Sequence, residues 1–160
     1  MNKSISATTR NRLDAQGMCD IPDAEIAAVI PWNRMAFFLC GVIAGVGTAL
    51  ASPTILFALV LIAFLGVLLP VHPFDLIYNL GIRHLRKTGP LPKRAAQVRF
   101  ACGVGGAWLI ATGLLFQNGS MTAGYILGGV LVFMTMLVSF FNICIASYIY
   151  NALFPKKVAA

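Results

Sequence analysis

The sequence predicts an all-α membrane protein with four transmembrane helices. Every lysine and arginine lies before Met35, between Pro70 and Phe100, or after Phe154, so that four long apolar stretches carry no charge. Hydrophobic residues make up 59% of the 160 residues and charged residues only 11%, which is far from the balance of a soluble domain. A helix needs roughly 17 to 25 apolar residues to cross the hydrocarbon core. The predicted spans are 35–51, 54–71, 100–116 and 121–145.

The first 30 residues are predicted to be a polar cytoplasmic segment with one short helix. Asp20, Asp23 and Glu25 around Pro22 are typical of a helix start. Pro31 is expected to end this helix just before the transmembrane domain, which covers 31–155. Trp32 is expected to anchor the first span at the membrane interface. Residues 156–160 form a basic tail.

Charge also predicts the orientation. The turns at 52–53 and 117–120 are uncharged, whereas the linker between the second and third spans is basic and amphipathic. Short basic segments stay in the cytoplasm, so both termini and this linker are expected there. Its basic side chains are expected to set the topology and to contact anionic lipids: Arg83, Arg86, Lys87, Lys93, Arg94 and Arg99. Nucleic-acid binding is disfavoured, because no reader motif accompanies the charge of +7.

Two pairs of similar segments indicate an internal repeat. Residues 38–42 (FLCGV) resemble 100–104 (FACGV), and 76–80 (LIYNL) resemble 148–153 (YIYNAL). Since both halves would begin on the same side, the repeat predicts two parallel hairpins about an axis along the membrane normal. Chance similarity between apolar helices is the alternative.

Aligning the second pair places His72 over Cys144 and Asp75 over Ser147. These four residues are the candidate site, with Cys144 as the candidate reactive thiol. Asp75 also fits a local helix cap, because Pro73 stands at a first helical position. The structural alternative for His72 is that of an interfacial boundary residue.

The remaining cysteines have a plainer interpretation. Cys40 and Cys102 are expected near the same leaflet as the candidate site, and small apolar packing beside glycine is the interpretation favoured for both. With Cys19 and Cys144 they are predicted on the reducing side, where stable disulfides are rare. No cysteine or histidine spacing predicts a metal site, and no cofactor is predicted.

Small residues predict where the helices pack. Small-x-x-x-small patterns let two helix backbones approach closely. The residues involved are Gly41 with Gly45, Gly124 with Gly128, and Gly103 with Ala107. Asn142 is expected to hydrogen-bond between helices, and lining a pathway is the alternative.

Several segments together carry a family resemblance. They are 72–75 (HPFD), 76–79 (LIYN), 82–85 (IRHL), 90–92 (PLP), 99–103 (RFACG) and the C-terminal stretch 144–151. Residues 30–154 thereby resemble the bacterial membrane proteins grouped as domain of unknown function 4395. The resemblance implies a bacterial inner membrane and a second cysteine three residues after the first, where this chain has Ser147. It also implies a thioredoxin-like or sulfurtransferase partner in the cytoplasm.

Three functions remain open. The first is a thiol, sulfur or redox accessory protein, in which Cys144 acts with His72 and Asp75. The second is a non-catalytic subunit of a larger respiratory, photosynthetic or transport complex, and the third is a small transporter or cofactor-binding membrane protein. A homo-oligomer is compatible with each of them. No catalytic triad or phosphate loop indicates an enzyme.

Overall fold

The computed structural model describes residues 5–86 and 89–155, and within these ranges the chain forms helices and no strand. The all-α class is therefore confirmed. The predicted lipid contact Lys87 and the tail 156–160 lie outside the described residues, as does the side chain of Arg86. In chain order the helices are α1 (Ala7–Ala15), α2 (Asp23–Ala49), α3 (Pro53–Leu68), α4 (Pro73–Ile77), a π-helical turn (Tyr78–Ile82), α5 (Arg83–Arg86), α6 (Ala96–Gln117), α7 (Met121–Phe141) and α8 (Ile145–Leu153).

Three helical stretches of the described chain are long and apolar enough to cross a membrane: Ile30–Ala49, Ala96–Gln117 and Met121–Phe141. A fourth span is present if Pro53–Leu68 and Pro73–Leu85, which meet at 80°, count as one broken span. By itself α3 is about 24 Å long at 1.5 Å per residue. The chain has the helices of a membrane protein, and the second of the predicted spans is the short one.

Pro31 does not end a helix, contrary to the prediction. It lies inside α2, which runs without a break from Asp23. A proline removes one backbone hydrogen bond but holds φ near its helical value. Packing on both sides of it supports the continuous helix: Ile26 is buried against Leu13 before it, and Trp32 stacks on Tyr78 after it with ring centroids 5.2 Å apart.

Two spans end earlier than predicted. The second predicted span corresponds to α3, which ends at Leu68 instead of residue 71, because Leu69 precedes Pro70 and takes an extended conformation. The fourth ends at Phe141 instead of residue 145. There Asn142 adopts a left-handed conformation with φ 55° and its backbone N–H donates to the Val138 carbonyl, which closes the helix.

The N-terminal segment holds two helical parts rather than the one predicted, α1 and the start of α2. Leu13, Met18 and Ile26 form a small buried cluster between them. The segment also contacts the end of the bundle, since the side chain of Asn151 in α8 donates to the Ala15 carbonyl. The N-terminal segment thus has its own small apolar cluster and contacts one end of the helix bundle through a polar side chain.

Helices pack across the two hairpins: α3 packs mainly on α6, and α2 on α7. Leu56, Leu59 and Leu109 lie at the centre of the core. The glycines singled out in the sequence lie at close contacts: Gly41 against Thr135 and Met136, Gly45 against Val132, Gly103 against Val67, Gly124 against Phe116, and Gly128 against Thr48.

Arginines bind the carbonyls at the end of each packed partner. Arg99 of α6 donates to the carbonyls of Val67 and Leu68 at the end of α3. Arg34 of α2 donates to the Phe140 carbonyl and, at 2.6 Å, to the Asn142 side chain at the end of α7. The last carbonyls of a helix lack partners within the helix, so a cation there is stabilising. We call this end of the bundle, marked by Arg34, Arg94 and Arg99, the basic end.

Candidate functional site

A cavity of about 240 Å³ lies between α2, α3, α6, α7 and α8. Apolar side chains such as Leu59, Leu109 and Leu131 form most of its wall. The wall also includes Cys40, Cys102, Cys144, His72 and Arg94. The cavity wall therefore carries three of the four cysteines together with the imidazole of His72 and the guanidinium of Arg94.

His72 and Asp75 hold the start of α4 through reciprocal hydrogen bonds. The Nδ1 atom of His72 accepts from the Phe74 backbone N–H at 3.3 Å, and Asp75 Oδ2 accepts from the His72 N–H at 3.3 Å. This is a capping box, with Pro73 at the first helical position. The local capping considered from the sequence is present, and it fixes the His72 ring at the cavity wall.

Asp75 is also paired with Arg94 inside the protein. The Arg94 guanidinium donates from Nε and Nη2 to the two carboxylate oxygens, both at 2.7 Å, and the side chains are 3% and 1% exposed. Arg94 Nη2 further donates to the Asn33 carbonyl at 3.2 Å. A bidentate arrangement of this kind orients both groups and neutralises the buried charge.

The prediction that Arg94 contacts lipid headgroups is therefore wrong. Burying an arginine is costly unless a carboxylate compensates its charge, and here Asp75 does so. Of the other predicted lipid contacts, Lys93 is exposed, Arg83 is half-buried and Arg99 binds the end of α3. Trp32 is half-buried against Tyr78.

The three cavity thiols come from three different parts of the fold. Cys40 lies in α2, Cys102 in α6, and Cys144 at the N-cap position of α8. Cys144 is buried, with 3% of its surface exposed, whereas Cys40 and Cys102 are half-buried. Cys102 approaches His72, because its Sγ and the His72 Nε2 both lie 3.1 Å from where a Cβ on Gly66 would stand. The fourth thiol, Cys19, is exposed in the N-terminal segment.

The residues paired by the predicted repeat occupy matching places. His72 and Cys144 both stand at the N-cap position of a helix, although only the His72 side chain makes a capping hydrogen bond, and Asp75 and Ser147 each stand three residues later and are almost completely buried. The structure thus brings His72 and Cys144 to one cavity. Asp75 does not line that cavity but binds two residues that do, Arg94 and His72, and Ser147 does not line it. The residues that the sequence did not select are Arg94, Cys40 and Cys102.

We expect His72 to make the fold sensitive to acid. His72 follows the end of α3 and lies outside the spanning helices. Burial, and secondarily the charge of Arg94, lowers the pKa of His72 from 6.5 to about 4, although Asp75 opposes this. The imidazole is therefore protonated below pH 6.5 in the unfolded chain, but only below about pH 4 in the folded chain. Stability is complete above this window and falls as the pH decreases through it.

Thermal unfolding of the detergent-solubilised protein between pH 7.5 and 4 measures this effect. The matched variant is His72→Asn, because asparagine is a good helix cap and does not titrate. The wild type should lose stability more steeply than His72→Asn as the pH falls. Equal slopes for the two proteins would contradict the assignment.

The donor set at this cavity determines its chemistry. Among the described residues no three His, Cys, Asp or Glu side chains come together in a way that could hold a metal ion. The cavity wall carries three sulfurs, a neutral imidazole and a paired guanidinium, in mostly apolar surroundings. Such a site can form sulfur–sulfur bonds once a thiol is deprotonated.

Comparison with known proteins gives one match. The family model described as domain of unknown function (DUF4395) matches residues 31–154. No curated protein matches the chain, and no solved structure matches it. The matched range contains every residue that lines the cavity.

Proposed function

We propose that this chain, which belongs to the domain of unknown function 4395 family, is a thiol- or sulfur-handling accessory protein of the bacterial inner membrane. The observation that carries the proposal is the single cavity that holds Cys40, Cys102 and Cys144 beside His72 and Arg94. Packing alone does not require three thiols in one cavity. The partner is a cytoplasmic thioredoxin-like or sulfurtransferase protein.

Cys144 is the thiol that meets the partner. It stands at the start of α8, where the helix dipole favours an anion. As a thiolate it attacks one sulfur of the partner's disulfide, forming a mixed disulfide and releasing the other partner sulfur as a thiolate.

Cys102 takes the place of the second cysteine that the family resemblance puts at position 147. Its thiolate attacks the Cys144 sulfur of the mixed disulfide, which forms a Cys102–Cys144 bond and releases the second partner thiolate. The two electrons that reduce the partner come from these two thiols. The two thiol protons pass to the two partner thiolates that are released.

The proposed orientation puts both termini and the basic end in the cytoplasm. Arg34, Arg94 and Arg99 gather at one end of the bundle, and positive residues are retained on the cytoplasmic side. In this arrangement the chain crosses the membrane four times, as two hairpins related by the repeat. Reporter fusions at Ser52 and Asn118 should be accessible from the periplasm only.

Thiol labelling tests the proposal directly. We expect a small permeant maleimide to modify Cys144 faster than Cys40 in the folded protein, although Cys144 is the more buried of the two, because the start of α8 stabilises its thiolate. Mass spectrometry after timed quenching gives the rate at each cysteine. Cys19, which is exposed, reports full access.

Diamide treatment provides the second measurement. It should link Cys102 to Cys144, and Cys144→Ser should abolish that link. Ser147→Ala is the control variant, since Ser147 is buried nearby without lining the cavity. The proposal fails if Cys144 reacts no faster than Cys40 and no intramolecular link forms.

A second candidate function is that of a non-catalytic subunit in a larger membrane complex. It is favoured by the large apolar side chains on the linker at the basic end, where Leu80 is 75% and Leu85 is 86% exposed. Such side chains beside a membrane interface also fit a protein partner. Mild solubilisation and size-exclusion chromatography test it, and a chain that migrates alone argues against this function.

A further inference from the structure

The cavity opens sideways, between helices. Residues that line it and are also exposed mark its mouth, and these are Val104 of α6, Met134 of α7, and Ile145 and Ile149 of α8. All four are apolar. Because α6 and α7 are candidate membrane spans, this mouth faces hydrocarbon. A molecule dissolved in the bilayer can enter the cavity without crossing water.

One buried donor in the cavity lacks a partner. Arg94 lines the cavity and is 7% exposed, yet its Nη1 makes no hydrogen bond to any described residue. Its other donors are used by Asp75 and Asn33. Leaving a buried donor without an acceptor is unfavourable. An acceptor oxygen supplied by a ligand would remove that cost.

The charge at this position selects the kind of acceptor. Asp75 already neutralises Arg94, so an anionic ligand would leave a net negative charge in an apolar cavity. Burying an unpaired charge is much more costly than burying a hydrogen-bonded neutral oxygen. His72 contributes no positive charge at neutral pH, because its pKa is lowered to about 4. A neutral carbonyl oxygen is the acceptor that fits.

The volume fits a ring-sized headgroup. An apolar cavity of about 150 Å³ is sufficient to hold benzene, and this one measures about 240 Å³. We propose that the cavity is a binding site for a neutral, lipid-soluble carbonyl compound of the quinone class, whose oxygen accepts a hydrogen bond from Arg94 Nη1. This goes beyond the proposed function, because binding requires no reactive thiol.

The chain contains a reporter for this binding. Trp108 lines the cavity, and Trp32 is the only other tryptophan. In a Trp32→Phe background, decylubiquinone should quench Trp108 fluorescence saturably in nanodiscs. The competitors are decylbenzene, which lacks an acceptor oxygen, and decanoate, which is anionic. Decylubiquinone should bind about tenfold more tightly than either. Decylbenzene cannot accept the hydrogen bond from Arg94, and decanoate would bury an unpaired negative charge.

Two glycines give a matched pair of variants. A Cβ added at Gly105 or at Gly129 meets nothing within 4 Å, but only Gly105 lines the cavity. Gly105→Leu should weaken decylubiquinone binding about tenfold by filling the cavity. Gly129→Leu should leave it unchanged. Equal melting temperatures of the two variants would show that folding does not cause the difference.

The outcomes separate cleanly. Equal quenching in the two leucine variants would overturn the site. Equal competition by decylbenzene would overturn the role of the acceptor oxygen, and stronger competition by decanoate would overturn the neutral class. A protein that binds decylubiquinone while its thiols fail the labelling test would therefore disprove the proposed function and leave this inference standing.

Discussion

Asp75→Ala is expected to destabilise the folded protein by about 3–5 kcal/mol, the cost of removing one partner from a buried ion pair. The substitution leaves the Arg94 guanidinium buried without a counter-ion, since both of its bonds to the carboxylate are lost. It also removes the acceptor for the His72 N–H at the start of α4. Unfolding in SDS, followed by tryptophan fluorescence, measures the loss.

A surface ion pair provides the control. Asp23 pairs with Arg10 at 3.0 Å but is 54% exposed, so Asp23→Ala should cost no more than about 1 kcal/mol. The double variant Asp75→Leu with Arg94→Met should recover most of the stability, because an apolar pair of similar volume has no charge to desolvate. A cost for Asp75→Ala no larger than that for Asp23→Ala would disprove the structural role of the pair.

Gly128→Val is expected to separate α2 from α7. An added Cβ at Gly128 would overlap Thr48 Oγ1 and lie 2.5 Å from Thr48 Cγ2. Because threonine is branched at Cβ, turning its side chain replaces one clash by another. Overpacking of this kind costs about 1–3 kcal/mol for a tightly packed residue. The same SDS unfolding measurement applies, and disulfide trapping across the helix pair would report their separation.

The neighbouring glycine is the matched control. Gly129 lies on the same helix with open space around it, so Gly129→Val should be close to neutral. Adding Thr48→Ala to Gly128→Val should restore part of the loss, because alanine removes both clashing atoms. If Gly128→Val and Gly129→Val are equally stable, then Gly128 is not a packing contact.

The positions of the spans could be predicted because long uncharged stretches have few alternatives to a helix in a membrane. Their ends could not, since they depend on single residues. Leu69 leaves the helix because a proline follows it, a signal that was available in the sequence. Asn142 closes α7 in a left-handed conformation, which asparagine tolerates but does not require. Pro31 is predicted to end a helix, but the packing of Ile26 and Trp32 on either side of it keeps α2 continuous.

The candidate site was predictable in part. His72 and Cys144 were selected from the repeat, and the structure places both at one cavity. The partner of Asp75 was missed, although a signal existed: Asp75 is the only carboxylate side chain after Glu25, so a buried cation was to be expected beside it. Six basic residues in the linker were equivalent by sequence, and only the docking of residues 89–95 distinguishes Arg94.

The crossed pairing of the helices determines when this protein can finish folding during its synthesis. The first hairpin leaves the ribosome while α6 and α7 do not yet exist, so the carbonyls of Val67 and Leu68 have no Arg99 to bind and Arg34 has no helix end to hold. The first half of the chain therefore lacks its main packing partners until the second half has been synthesised. Native assembly follows only when the nascent chain has been translated past Asn142, and a prematurely terminated chain has no native half to retain.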